Sequence, residues 1–164
     1  MSKILLIGSE LQNSHQNFNF LEIEGFDLIT AENSFDGLCK AQSELPDLII
    51  YDIVLPQLDA YRIIRKLREH PTTAIIPLTC VINVSNIAEI RKAMEAGADD
   101  CITKFSTKEE LLKAIKIRLD RQAHLLEWYG IQAKKMNLTV KNNPRCINKI
   151  SFRKREYDLS RCNK

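Results

Sequence analysis

Short, unbroken runs of aliphatic residues alternate with amphipathic segments along the first 129 residues of the chain. Runs such as Ile4–Ile7 and Leu48–Ile50 contain no polar residue, which is typical of parallel strands that are covered on both faces. The segments between the runs repeat apolar residues at helical spacing, as Tyr61, Ile64 and Leu67 do. Because the alternation occurs five times, it predicts an α/β fold, an open parallel sheet with helices on both faces.

Turn and cap residues divide this pattern into elements. Gly25, Pro46 and Gly97 end helices, and Thr107 with Glu110 is a capping box that opens the last one. The predicted strands are Ile4–Ile7, Phe26–Thr30, Asp47–Tyr51, Ile75–Ile82 and Cys101–Thr103. The predicted helices are Leu11–Glu24, Phe35–Glu44, Asp59–Glu69, Ile87–Ala96 and a long one from Thr107 to about Tyr129. In such sheets ligands bind at the carboxyl ends of the strands.

Charge divides the chain into two parts. Residues 1–129 carry 14 Lys and Arg against 19 Asp and Glu, whereas residues 130–164 carry 10 against 2. The sequence therefore predicts a domain at 1–121, an extension of its last helix at 122–130, and a basic, flexible tail at 131–164.

Several classes of protein are disfavoured. No apolar run approaches the roughly 18–20 residues that cross a membrane, and the apolar opening is too short for a signal peptide. Five widely spaced cysteines without a C-x-x-C pair suggest neither a zinc site nor a disulfide framework. These features predict a cytoplasmic protein. No nucleophile–base pair or Gly-rich phosphate loop is present, so we expect that the protein is not an independent enzyme.

Two charged residues end apolar strands and need an explanation. Asp52 follows Pro46–Tyr51 directly, and Lys104 follows the fifth strand. A carboxylate at the mouth of a buried strand is costly unless it has a partner or a function. A carboxylate beside an ammonium group suits a site that accepts a phosphoryl group, because the lysine can pair with the added charge.

These two stretches resemble response-regulator receiver domains of two-component signalling. Pro46–Leu58 is similar to the phosphoacceptor strand and loop of that family, and Ala96–Lys104 is similar to its fifth-strand lysine motif. The resemblance covers about residues 3–121 and implies a flavodoxin-like sheet of strand order 2-1-3-4-5 with five helices. It further implies Asp52 as phosphoacceptor, Lys104 as the phosphate-pairing cation, bound Mg²⁺, and a sensor histidine kinase or another signalling protein as partner.

Other positions depart from the family pattern and mark an atypical member. Gly8 and Ser9 stand where receivers carry the acidic pair that holds Mg²⁺, so only Asp52 and Glu10 remain as candidate metal ligands. The switch hydroxyl is replaced by Ile82. The aromatic switch position is Cys101, and Phe105 replaces the proline that follows the lysine. These substitutions put Mg²⁺ binding and the phosphorylation switch in question.

Simpler interpretations stay open for each feature. Asp52 could cap the following turn, and Lys104 could form a permanent salt bridge with it. Thr79 is expected to be a satisfied core threonine, and Asp99 and Asp100 to be solvated loop acids. The long last helix suggests a homodimer, or else a helix end folded back on its own domain.

Two alternatives to a phosphorelay receiver therefore remain. One is a phosphorylation-independent interaction module, or pseudo-receiver. The other is a DNA-binding regulator that uses the basic tail; nucleic-acid binding is disfavoured because no element that could read a DNA groove follows the tail.

Overall fold

The computed structural model describes residues 1–8, 15–53, 58–82, 87–104 and 106–142, which form five strands and five helices. The strands are β1 (Lys3–Ile7), β2 (Asp27–Ala31), β3 (Leu48–Ile53), β4 (Leu78–Ile82) and β5 (Asp100–Thr103). The helices are α1 (His15–Ile23), α2 (Ser34–Glu44), α3 (Leu58–Glu69), α4 (Ile87–Ala96) and α5 (Lys108–Asn142).

All five strands join one parallel sheet in the order β2-β1-β3-β4-β5. The predicted fold and strand order are therefore confirmed. The order reverses between β1 and β3, and in open α/β sheets the ligand crevice lies at this switch point. Asp52, on β3, lies in register with Val81 on β4.

The core consists of two apolar layers, one on each face of the sheet. Side chains of α2, α3 and α4 pack on one face, and side chains of α1 and α5 pack on the other. β4 contributes to both layers because successive side chains point to opposite faces: Cys80 and Ile82 join the first layer, and Val81 joins the second. This covering explains why the strand sequences are apolar throughout.

The structure corrects several predicted boundaries in the described part of the chain. β3 runs to Ile53 rather than Tyr51, so Asp52 lies within the strand instead of following it. β4 begins at Leu78 rather than Ile75, because residues 71–75 form turns in which Ala74 N donates to His70 O. α5 continues past Tyr129 to Asn142, so the predicted end of the helix at residues 129–130 was wrong. A glycine such as Gly130 costs a helix only about 1 kcal/mol, and no proline follows it before Pro144.

The chain divides into a compact unit Met1–Gln122 and a second unit Ala123–Lys164. Residues 143–164, which make up most of the predicted basic tail at 131–164, lie outside the described residues. No helix in the described ranges is both long enough and apolar enough to span a membrane.

Candidate functional site

Asp52 is buried near the carboxyl end of β3. Every residue of this strand is buried, and Asp52 is only 3% exposed. β3 lies inside the sheet between β1 and β4, so the main chain holds the carboxylate in a fixed position. An isolated buried carboxylate would be costly, so this carboxylate is expected to have an electrostatic partner.

Lys104 supplies that partner from two strands away. Its Nζ lies 3.1 Å from Oδ2 of Asp52, and its side chain is 18% exposed. The backbone N of Lys104 donates to the carbonyl of Ile82 at 3.0 Å, which anchors the end of β5 beside the end of β4. The structure therefore brings together the two charged residues that the sequence singled out.

Gly8 lies directly against Asp52. Its φ is +139°, and its backbone N donates to the carbonyl of Ala31 at 3.0 Å. A Cβ built on Gly8 would lie 2.7 Å from the Cβ of Asp52, a separation that real side chains do not tolerate. With this backbone, no carboxylate could project from position 8 toward Asp52.

The described residues do not form a magnesium site. No group of three or more His, Cys, Asp or Glu side chains within them could hold a metal ion, and Mg²⁺ prefers oxygen ligands in near-octahedral geometry. Position 8 offers no side chain, and Asp52 is already paired with Lys104. The predicted positions Ser9, Glu10 and Phe105 lie outside the described residues.

Two further atypical positions, Ile82 and Cys101, lie on β4 and β5. Ile82 is buried at the end of β4, in register with Ile53 and Thr103, and carries no hydroxyl group. Cys101 is partly buried on β5 and packs against the core beside Tyr61 and Ile90. Ile82 therefore belongs to the core layer that α2, α3 and α4 cover, and Cys101 packs against the same layer.

Thr79 is buried as predicted, but the expectation that it is satisfied was wrong. Its side chain is fully buried within β4, and its Oγ1 has no hydrogen-bond partner among the described residues. It lies in register with Ile50 and Asp100 rather than beside Asp52.

Asp99 is an exposed loop acid, as the sequence suggested, whereas Asp100 is partly buried and belongs to β5. Both residues make contacts that the sequence did not reveal. Oδ2 of Asp99 accepts hydrogen bonds from Arg68 at 2.7 Å and from the backbone N of Leu78 at 2.8 Å. Asp100 pairs with Arg118 at 3.1 Å. Sequence analysis missed these contacts because the partners are distant in the chain, and no local pattern marks Arg68 or Arg118.

Arg68 links α3 to the loops around β4. Its guanidinium group donates to the carbonyls of Ala74, Ile76 and Gly97 at 2.7–2.9 Å, in addition to Asp99. The backbone N of Leu78, the first residue of β4, donates to Asp99. This network therefore lies at the amino ends of the strands, whereas Asp52 lies near the carboxyl end of β3. We assign it to stability rather than to the site.

A cavity of about 260 Å³ adjoins Lys104 on the α1–α5 side of the sheet. Its apolar wall and its polar rim come from α1, β4, β5 and the start of α5. The lining residues are Phe18, Phe20, Val81, Ile102, Thr103, Lys104, Ser106, Thr107, Lys108 and Leu111.

Comparison with known proteins agrees with this geometry. The sequence model of the response regulator receiver domain matches residues 4–116. The chain belongs to the response-regulator receiver family. Its match contains both Asp52 and Lys104, and the module belongs to two-component signalling systems, in which response regulators interact with sensor histidine kinases.

Relatives and solved structures extend the comparison. The response regulator ArlR of Staphylococcus saprophyticus is 35% identical over 164 aligned residues, which span 97% of this chain and 70% of the relative. A two-component response regulator from Clostridium difficile superimposes with a TM-score of 0.66 at 28% identity, covering 74% of this chain and 98% of that one. A receiver domain protein from Clostridium thermocellum gives a TM-score of 0.67 at 26% identity, with 76% and 99% covered.

Proposed function

We propose that this chain is a phosphorelay receiver in which residues 1–121 form the receiver domain and Asp52 accepts the phosphoryl group. The ion pair between Asp52 and Lys104, at 3.1 Å, is the observation that carries this proposal. The pair puts a carboxylate and a cation together near the carboxyl ends of the strands in a sheet of receiver topology, which supports a phosphoryl-accepting role. No other described pair of charged residues combines this burial with this location.

The proposed chemistry is a phosphoryl transfer. A carboxylate oxygen of Asp52 attacks phosphorus, and the bond from phosphorus to its donor, a phosphohistidine nitrogen of a sensor kinase or the oxygen of an acyl phosphate, breaks. The product is an aspartyl phosphate, and the leaving group keeps the bonding electron pair. Lys104 then pairs with the phosphate oxygens instead of the carboxylate, because charge-assisted contacts to phosphate are strong.

The atypical positions define what this receiver would do differently. Neither Gly8 nor Ile82 can supply a metal-binding carboxylate or a switch hydroxyl, so we assign no step to magnesium. Any movement that follows phosphorylation would start from the release of Lys104, since this cation already contacts Asp52. We therefore propose an atypical receiver whose signal depends on this ion pair.

A mass measurement tests phosphorylation. The full chain is incubated with acetyl phosphate, with and without Mg²⁺, and its intact mass is recorded beside that of Asp52→Asn. We expect the addition of one phosphoryl group to the native chain and none to Asp52→Asn. If a folded native chain gains no mass in either condition, Asp52 is not a phosphoacceptor.

The second candidate function is a pseudo-receiver that binds a partner without phosphorylation. The missing carboxylate at position 8 and the existing pairing of Asp52 with Lys104 favour it, because position 8 supplies no metal ligand and the buried carboxylate already has a cation as its partner. A folded chain that takes no phosphoryl group would support this function over the phosphorelay.

The proposed partner of such a module is a second copy of the chain, bound through the last helix. Five apolar side chains in one short stretch of α5 are each 42–59% exposed. They are Leu125, Leu126, Trp128, Tyr129 and Ile131. Sedimentation over a concentration series measures association, and we expect Leu126→Glu to weaken it. Lys134→Glu, on the same helix, serves as a charge control. A native chain that stays monomeric at all concentrations would contradict this dimer.

Three expectations from the sequence stay predictions. The basic residues that would contact nucleic acid lie mostly in 143–164, outside the described residues. We keep nucleic-acid binding as the least favoured function. Cytoplasmic location and the absence of independent enzymatic activity likewise stay predictions.

A further inference from the structure

Two cysteines face each other across neighbouring strands. Cys80 on β4 and Cys101 on β5 are direct register partners in the parallel sheet, and both belong to the layer beneath α3 and α4. Neighbouring strands lie about 4.8 Å apart, and a disulfide joins Cα atoms that are roughly 4.4–6.8 Å apart. The main chain thus holds the two thiols at a separation that a disulfide can span.

The two thiols are not equivalent. Cys80 is fully buried, whereas Cys101 is partly exposed. The interaction between the two side chains lowers the pKa of Cys101, and the same interaction, together with burial, raises the pKa of Cys80 well above its usual value. Cys101 is therefore the thiol that a dissolved peroxide reaches first, and its lowered pKa favours the thiolate, which is the nucleophile.

The surroundings leave Cys101 accessible on one side while they shield Cys80. The Sγ of Cys101 lies 4.0 Å from the carbonyl oxygen of Ile90 in α4, and Tyr61 of α3 packs against the same layer.

We propose that Cys80 and Cys101 form a two-electron redox site, at which a peroxide converts the paired thiols to a disulfide that joins β4 to β5. This inference does not depend on phosphorylation of Asp52. It assigns a modification to a position where, by resemblance, receivers carry an aromatic switch residue.

The reaction proceeds in two balanced steps. The thiolate of Cys101 attacks one oxygen of hydrogen peroxide, the O–O bond breaks, and hydroxide leaves, which gives a sulfenic acid at Cys101. The sulfur of Cys80 then attacks the sulfur of Cys101, the S–O bond breaks, and water leaves with the proton of Cys80. Overall, two thiols lose two hydrogen atoms and one peroxide is reduced to two waters.

The resulting bond is expected to be labile. Neighbouring strands lie about 4.8 Å apart, whereas the Cβ atoms that a disulfide joins prefer a separation of about 3.8 Å. The strands must draw together to form the bond, and strained disulfides are more readily reduced. We therefore expect a reversible link rather than a permanent structural one.

Peptide mapping tests the site directly. The full chain is treated with hydrogen peroxide, its remaining thiols are alkylated, and it is digested with trypsin without reductant. Cys80 and Cys101 fall in separate tryptic peptides, residues 69–91 and 93–104. We expect these two peptides to be linked, and dithiothreitol to release them.

Two variants serve as controls. A chain in which Cys39, Cys146 and Cys162 are all replaced by Ser keeps only the proposed pair, and we expect it to form the same link. Cys80→Ser removes the second thiol, so Cys101 should accumulate as a sulfenic acid that dimedone labels. Circular dichroism confirms that each variant is folded.

Other results would overturn the proposal. One is a disulfide that joins other cysteines in place of this pair. Another is a folded chain in which peroxide oxidises neither Cys101 nor Cys80. Oxidation of Cys101 in the native chain that stops at the sulfenic acid would also overturn it, because Cys80 would then not resolve it.

Discussion

The ammonium group of Lys104 lies 3.1 Å from the carboxylate of Asp52, across the end of β4. The carboxylate is fully buried, whereas the lysine side chain keeps 18% of its surface exposed. The two partners therefore differ in how much each depends on the other. If the pair is broken, only the ammonium group of Lys104 can reach solvent.

This asymmetry predicts different costs for removing each charge. Lys104→Met leaves the buried carboxylate without this cation and should lower the free energy of unfolding by about 3 kcal/mol. Asp52→Asn should cost only about 1 kcal/mol, since Lys104 can rehydrate. Urea denaturation measures both, and the double variant should be more stable than Lys104→Met alone. Equal and additive losses would contradict a coupled pair.

The close approach of Gly8 to Asp52 predicts that residue 8 tolerates no side chain. Gly8→Ala combines a left-handed φ with the 2.7 Å contact and should cost roughly 3 kcal/mol from strain and overpacking. Gly25 provides a matched control, because its φ is +91° but nothing lies within 4 Å of a Cβ there. Gly25→Ala should cost about 1 kcal/mol. Similar thermal midpoints for the two variants would show that residue 8 can move away.

The guanidinium group of Arg68 predicts that lysine cannot replace it. An ammonium group cannot satisfy three carbonyls and Asp99 in this fixed geometry, so Arg68→Lys should cost about 2 kcal/mol. Arg91→Lys is the control, because its ion pair with Glu95 is exposed and should change stability by at most about 0.5 kcal/mol. Chemical denaturation measures the free energy of unfolding of both variants. Equal losses would show that the hydrogen bonds of Arg68 do not stabilise the fold.

The helical glycine in α5 predicts an increase in stability. Nothing lies within 4 Å of a Cβ built on Gly130, so Gly130→Ala should stabilise the helix by about 1 kcal/mol through backbone entropy. Ala133→Gly, at an exposed position of the same helix, should have the opposite sign. Helical circular dichroism and limited proteolysis within 123–142 measure both changes. No difference between the variants would mean that the helix is frayed at this point.

Much of this molecule could be predicted from local patterns. The aliphatic runs at Ile4–Ile7 and Leu48–Ile50 indicated buried parallel strands because a strand covered on both faces has no place for a polar side chain. The periodic segments gave the helices to within a few residues, except where the last helix passed Gly130. The stop at residue 129 was misjudged because a single glycine weakens a helix without ending it.

The candidate site was predicted in its residues but not in its geometry. Asp52 and Lys104 could be selected from the sequence, because a charge at the end of an apolar strand is conspicuous. The distance between these two side chains could not be predicted, since it depends on β4 lying between β3 and β5. Position 8 was recognised as lacking a carboxylate, whereas its contact with Asp52 follows only from the approach of β1 to β3.

The sequence by itself determined that the strands of this protein would be buried and that Asp52 and Lys104 would lie near their carboxyl ends, because hydrophobic periodicity is a local property of the chain. Only the tertiary structure decided which residues meet. Cys80 faces Cys101, Arg68 reaches Asp99, and Gly8 closes on Asp52. Each contact joins segments at least 21 residues apart, so it depends on strand order and register rather than on any pattern within one segment.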